Sequence, residues 1–192
     1  EARHRGAEGH DRYLDVLRGE ISRLTTLMTE LLEFGWPSRP EFSECRMEEV
    51  VQAAVVACAP LARRKSIEIV RQTSQGLPSV RVDRGRISQV LQNLIENGLH
   101  FSPPGGRVLL TLGAVEEGGV RYVEVSVRDS GPGFEVNDLS RMFEPFFTRR
   151  RGGIGLGLSI VKRFVYDHGG EVTAENHPEG GAVVKVRLRG VA

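Results

Sequence analysis

No apolar run in this 192-residue chain approaches the roughly 20 residues that span a bilayer, and no signal-peptide pattern opens it. Cysteine is scarce. Cys45 and Cys58 stand alone without metal-type spacing, and two cysteines are too few for a disulfide scaffold. The five histidines are scattered, which leaves no zinc-binding pattern. Net charge is only +1, so no strong overall field draws nucleic acid. There is no internal repeat. The opening EARHRGAEGH lacks an initiator Met and any clear fold signal, as expected of a fragment of something longer. What is present, 40% hydrophobic and 27% charged residues, is globular composition. The length fits one ordinary domain with a smaller appendage, and the absences predict a soluble protein of a reducing compartment.

From Leu14 onward, Leu14, Leu17, Ile21, Leu24, Met28 and Leu31 recur at spacings of 3, 4, 3, 4 and 3. This heptad seam predicts a long helix, and Leu27, Leu32 and Phe34 widen its apolar face toward what a four-helix bundle requires. A helix packed on its own domain is the other reading. Pro37 and Pro40 must stop it, since they deny backbone donors and restrict their neighbours. That divides the chain into residues 1–36, a linker at 37–40, and residues 41–192.

Beyond the linker the pattern turns to mixed α and β. Short strands are predicted at residues 42–46, 66–71 and 80–83, and helices at 47–65 and from Asp83 to about Phe101. Two strands, 107–112 and 120–128, flank a Glu117-Gly118-Gly119 turn. A last helix, from about Gly155 to His168, precedes strands 171–175 and 182–189. The fold class is α+β: a two-layer sandwich of one mixed sheet with helices on one face, preceded by the bundle-forming helix.

Asn93, Glu96, Asn97 and His100 lie three or four apart and form one polar stripe on an otherwise apolar helix. A solvated face is the ordinary reading of such a stripe. Asparagine is a mediocre helix former, however, and its carboxamide oxygen suits a hard cation such as Mg²⁺. Asp129-Ser-Gly131-Pro-Gly133 follows an alternating strand. It reads either as a turn or as a carboxylate that accepts from an exocyclic amine in a pocket kept open by glycine. Gly153-Ile154-Gly155-Leu156-Gly157-Leu158 leads into an apolar helix and offers backbone N–H groups to anionic oxygens. It matches neither the dinucleotide fingerprint nor a P-loop. Arg149, Arg150 and Arg151, just upstream, read as a solvated patch or as phosphate contacts.

In this order the motifs resemble the ATP-binding domain of sensor histidine kinases, in the superfamily shared with gyrase, MutL and the ninety-kilodalton heat-shock chaperone. The N box spans residues 93–102, the first glycine box 129–133, the F box 143–147 and the second glycine box 153–158. His168-Gly169-Gly170 and two closing strands also fit, and Ile21 to Pro37, with its Glu30-Leu-Leu-Glu-Phe34, is similar to the second helix of the dimerisation and phosphotransfer hairpin. The short stretch between the F box and the second glycine box looks most like the nitrogen-regulation class.

The resemblance implies a Bergerat-type ATP-binding fold, with ATP and Mg²⁺ as cofactors. By it Asn97 is the metal ligand, Asn93 stands where gyrase-like relatives have a catalytic glutamate, and Asp129 reads the adenine amine. Gly131 and Gly133 shape that pocket, and Phe101 packs on the base. His100, Arg149, Arg150 and residues 153–158 form the phosphate side and its lid. Phe143, Phe146 and Phe147 hold the lid. The implied activity is that of a two-component transferase, passing the γ-phosphoryl group to a histidine for relay to a response-regulator aspartate. The implied partners are a second copy of the chain and a receiver domain, with no nucleic acid. The implied location is cytoplasmic, without membrane insertion of this segment.

The sequence departs from the pattern at His100, where a Lys is usual, and at Ile154, where Thr or Ser is usual. No phosphoacceptor is assigned. His10-Asp11-Arg12 lacks the Pro that the acceptor motif carries, and His4 lacks the acidic neighbour, so autophosphorylation of this segment alone is not expected. Two other classes stay open: a nucleotide-binding regulatory module without transfer, and a gyrase-type ATPase, against which Asn93 argues.

Overall fold

The computed structural model describes residues 39–150 and 153–191, together with Leu14, Leu17, Ile21, Leu24, Thr25, Met28 and Leu31. The chain separates into two compact units, Glu1–Ser38 and Arg39–Ala192. In the first unit all seven described residues are helical, and Thr25 Oγ1 donates to the Ile21 carbonyl at 2.9 Å, four residues back. All six seam residues are exposed, from 40% at Leu14 to 63% at Ile21. The seam is therefore not packed within its own unit. Leu27, Leu32, Phe34, His4, His10, Pro37, Arg151 and Gly152 lie outside the described residues.

The second unit is built on a five-stranded mixed sheet in the order β2-β4-β5-β7-β6, comprising β2 (Glu68–Thr73), β4 (Arg107–Glu117), β5 (Val120–Arg128), β6 (Glu171–Asn176) and β7 (Ala182–Arg189). Only β2 and β4 run parallel. β1 (Ser43–Cys45) and β3 (Val80–Val82) pair separately as a small antiparallel sheet. Three helices, α1 (Met47–Lys65), α2 (Arg84–Phe101) and α3 (Gly157–Asp167), cover one face.

Alternation along the strands places the core. Val108, Leu110, Leu112, Val123, Val125, Val127, Val186 and Leu188 are buried, while their alternates face away from the helices. Ile87, Val90, Leu91, Leu94, Ile95 and Leu99 of α2 meet them at helical spacing, each at 3% exposure or less. Each such side chain contributes roughly 1.5–3 kcal/mol by leaving water. The outer face is polar. On it Arg187 pairs with the directly opposite Glu124 at 2.6 Å.

Helix ends follow their sequence signals. Asp83 Oδ1 caps α2 by accepting from the Arg86 N–H at 3.1 Å. α1 begins with Glu48 and Glu49 and ends with Arg63, Arg64 and Lys65, matching the helix dipole. Three elements differ from expectation by two residues or more, and β2 is one of them, lying at Glu68–Thr73 rather than 66–71. β4 runs five residues beyond Leu112, through Gly113, because its pairing with β5 holds to Glu117. α3 starts at Gly157, since Gly155 has φ +79 and cannot be helical.

Candidate functional site

The polar stripe of α2 and both glycine boxes come together at one end of the helical layer. Gly98 lets α2 approach β4 and the end of β5. A Cβ there would lie 3.1 Å from Val108 Cγ2 and 3.5 Å from Asp129 Cβ. At the helix end, Ser102 Oγ accepts from the Ser130 N–H at 3.1 Å, and the Phe101 carbonyl lies 2.8 Å from where a Gly131 Cβ would stand. Phe101 itself keeps its ring 44% exposed beside the first glycine box. About two turns earlier on α2, Asn93 Nδ2 donates to the Gly157 carbonyl at 3.4 Å, joining the N box to the second glycine box.

Asp129 is held rather than merely placed. Its Oδ1 accepts from the Gly131 N–H at 2.8 Å and the Ala182 N–H at 3.0 Å. Burial raises its carboxyl above the ordinary range, while those two donors pull the other way. A half-buried carboxylate with one oxygen fixed is suited to accept from a ligand amine with the other.

The His100 end of the stripe has a different electrostatic character. Burial, with Arg150 and Lys65 nearby, pushes the His100 imidazole down to about 4. His100 is therefore neutral near pH 7 and acts as a dipole where a cation is usual. Glu96 keeps more than a third of its surface open, yet partial burial of its carboxyl raises it, against the pull of Arg150. Arg150 thus faces the stripe electrostatically.

Arg149 points elsewhere. Its guanidinium grips Asp138 through Nε and Nη2, both at 2.9 Å, and reaches Glu135 at 3.1 Å. Gly155 packs on the F box, where a Cβ would lie 2.5 Å from the Phe146 carbonyl carbon. Phe146 has φ +67, strained for a bulky residue, and its ring is 61% exposed. Lys162 of α3 lies 6.0 Å from the Phe143 ring centre. Gly153, Ile154 and Gly155 are half-buried, Leu156 is fully buried, and Gly157 and Leu158 form the half-buried start of α3.

No hydrogen bond occupies the Asn97 carboxamide among the described residues, and no group of three His, Cys, Asp or Glu residues is placed to hold a metal. A single free amide oxygen suits a hard cation such as Mg²⁺, which takes few protein ligands, and fits no structural metal. Sequence reasoning missed the contribution of the β6–β7 hairpin, through Asn176, Gly181 and Ala182, because no local pattern marks it.

Residues 82–191 match the family described as histidine kinase-, DNA gyrase B-, and HSP90-like ATPase. The chain is 34% identical to the sensor histidine kinase ZraS of Klebsiella oxytoca, over 88% of this chain and 36% of that protein. It is 30% identical to the sensor histidine kinase WalK of Bacillus subtilis, over 92% of this chain and 30% of that protein. The chain therefore spans about a third of the length of these curated relatives. Among solved structures it resembles full-length ShkA in complex with AMPPNP, at TM-score 0.81 and 31% identity over 94% of this chain and 39% of that one. It also resembles the histidine kinase ThkA in complex with the response regulator protein TrrA, at TM-score 0.76 and 31% identity over 93% of this chain and 51% of that one. No helix among the described residues is long and apolar enough to cross a membrane.

Proposed function

The chain belongs to the histidine kinase-, DNA gyrase B- and HSP90-like ATPase family, and on that premise we propose that it is the catalytic core of a sensor histidine kinase. It binds Mg-ATP and directs the γ-phosphoryl group to a histidine, for relay to a receiver-domain aspartate. The observation that carries this reading is the convergence of the asparagine stripe on both glycine boxes, through Gly98 against Asp129 and Asn93 against Gly157.

ATP supplies the phosphoryl group, and Mg²⁺ neutralises charge on its phosphates. The protein's part is positioning. Asp129 accepts the adenine amino group, Gly131 and Gly133 leave room for the base, and Phe101 flanks it. Asn97 holds the metal, and Asn93 ties the stripe to the second glycine box. Gly153, Gly155 and Gly157, with Ile154, Leu156 and Leu158 beside them, present backbone N–H groups to the phosphates, as Arg150 presents charge. His100 contributes a neutral N–H in place of a cation. Arg149 contributes to the same side through the loop it braces. The likeness to ThkA bound to TrrA supports a receiver domain as partner. The exposed seam supports pairing with a second copy in the parent protein. A cytoplasmic location follows from the substrate, ATP.

The neutral His100 favours a second reading, a regulatory module that holds nucleotide without transfer. Incubating the chain with γ-labelled ATP and an acceptor-helix fragment separates the two. Labelled phosphohistidine on the fragment is expected; firm ATP binding with no label would establish the module instead.

A further inference from the structure

We propose that Asn176, at the end of β6, is a positioning residue that sets the base-binding wall and the preference for adenine. This rests on the nucleotide-site reading above. Asn176 uses both halves of its carboxamide on one residue 42 positions away: Oδ1 accepts from the Phe134 N–H at 2.7 Å, and Nδ2 donates to the Phe134 carbonyl at 2.8 Å. The two bonds fix the amide's orientation, since a flip would oppose donor to donor and acceptor to acceptor. The side chain thus imitates a paired strand residue and extends the sheet's hydrogen bonding to the loop beyond Asp129.

Gly133 makes the clasp possible. It has φ +84, and a Cβ there would lie 2.6 Å from Asn176 Oδ1. The other end of the loop is tied to the same hairpin. Asp129 N–H donates to the Ala182 carbonyl at 3.0 Å, and the Ala182 N–H returns a bond of 3.0 Å to Asp129 Oδ1. Gly181, at φ +89, lies beneath, where a Cβ would come within 2.1 Å of the Asp129 carbonyl oxygen. Ser130, between the ties, is fixed to β4 by its Oγ, which accepts from the Arg107 N–H at 3.0 Å and donates to the Arg107 carbonyl at 2.8 Å. The hairpin therefore holds both ends of residues 129–134, the wall that Asp129 and the glycines present to the base.

Asn176 is itself exposed, so its two bonds contribute little to global stability. Their effect falls on where the loop sits. Removing them leaves the fold intact and lets residues 131–134 drift from the base.

The test is calorimetric titration of the wild type, Asn176→Ala and Gly133→Ala with AMPPNP and with its guanine counterpart, alongside thermal melts. Gly133→Ala breaks the same clasp from the opposite side. Both variants are expected to weaken AMPPNP binding about tenfold, the equivalent of one or two ordinary hydrogen bonds. The guanine analogue changes less, so discrimination narrows, and the Asn176→Ala melting temperature stays at the wild-type value. Unchanged AMPPNP affinity in both variants overturns the proposal. So does an equal loss for both bases that follows a fall in melting temperature, since that marks a structural role only. A wild type that melts cooperatively but binds no AMPPNP overturns the nucleotide reading itself, and this inference with it.

Discussion

Residues 129–134 and residues 153–157 are both glycine-rich, and both line the same site, yet their hydrogen bonds run to different places. The first segment is bonded to β4, to the end of α2 and to both strands of the β6–β7 hairpin. The second is bonded mostly within its own neighbourhood. The Gly153 N–H donates to the Arg150 carbonyl at 3.0 Å, and Gly155 rests on the Phe146–Phe147 backbone. It meets the N box through the long Asn93–Gly157 contact of 3.4 Å. Arg149, which anchors the approach to it, pairs with the preceding loop rather than with the sheet. On the proposed reading, a base meets a wall continuous with the sheet, and phosphates meet a segment whose geometry is its own. Local stability follows such wiring, and elements that close over ligands are drawn from the weakly tied end.

Two glycine substitutions break this comparison most directly. Gly181→Ala places a Cβ against the Asp129 carbonyl at a positive φ, so it strains the sheet and the base wall together. It is expected to cost about 3 kcal/mol of stability in urea denaturation, and nucleotide binding as well. Gly155→Ala would place its Cβ 2.5 Å from the Phe146 backbone, but its strain stays within residues 146–157. The expected loss of global stability is about 1 kcal/mol, with a larger loss of nucleotide affinity. Equal stability losses at the two positions would show that the two segments are wired alike.

A smaller effect sharpens the electrostatic half of the contrast. Burial holds His100 at about 4 rather than 6.5, so between these values the unfolded chain binds a proton that the folded chain does not. The contribution is fully present above pH 6.5 and is lost as pH falls toward 4. Asp129 and Glu96, both raised by burial, act with the opposite sign, losing their contribution as pH rises. Comparison of wild type with His100→Gln at pH 7 and pH 4.5 cancels their shares. Urea denaturation should show the wild type losing more stability between the two pH values than the variant does. Parallel losses would place His100 in water in both states.

Much of this was legible in the sequence because the signals were local. Helical spacing located α1 and α2, alternation located β5, and Asp129, Asn93 and Asn97 stood out by residue type and position. The pairing of β1 with β3 was not legible, since strands of three residues are too short for their pattern to specify a partner. Nor was the run of β4 past Gly113, whose missing side chain interrupts the pattern. Asn176 gives no local sign at all: its role is defined by Phe134, far away in sequence and opposite in space. Arg149 illustrates the reverse difficulty. In a run of three arginines beside a glycine box it reads as a solvated patch or a phosphate contact, while the fold sets two carboxylates within its reach.

The most direct measurement is calorimetric titration of AMPPNP into wild type and Asp129→Asn, with and without Mg²⁺. Wild-type binding strengthened by Mg²⁺ and weakened about tenfold or more in the folded variant is predicted, because a charged acceptor's hydrogen bond to the base is lost. Wild-type affinity retained in Asp129→Asn would contradict the assignment of this carboxylate to the base, and with it the account of the site.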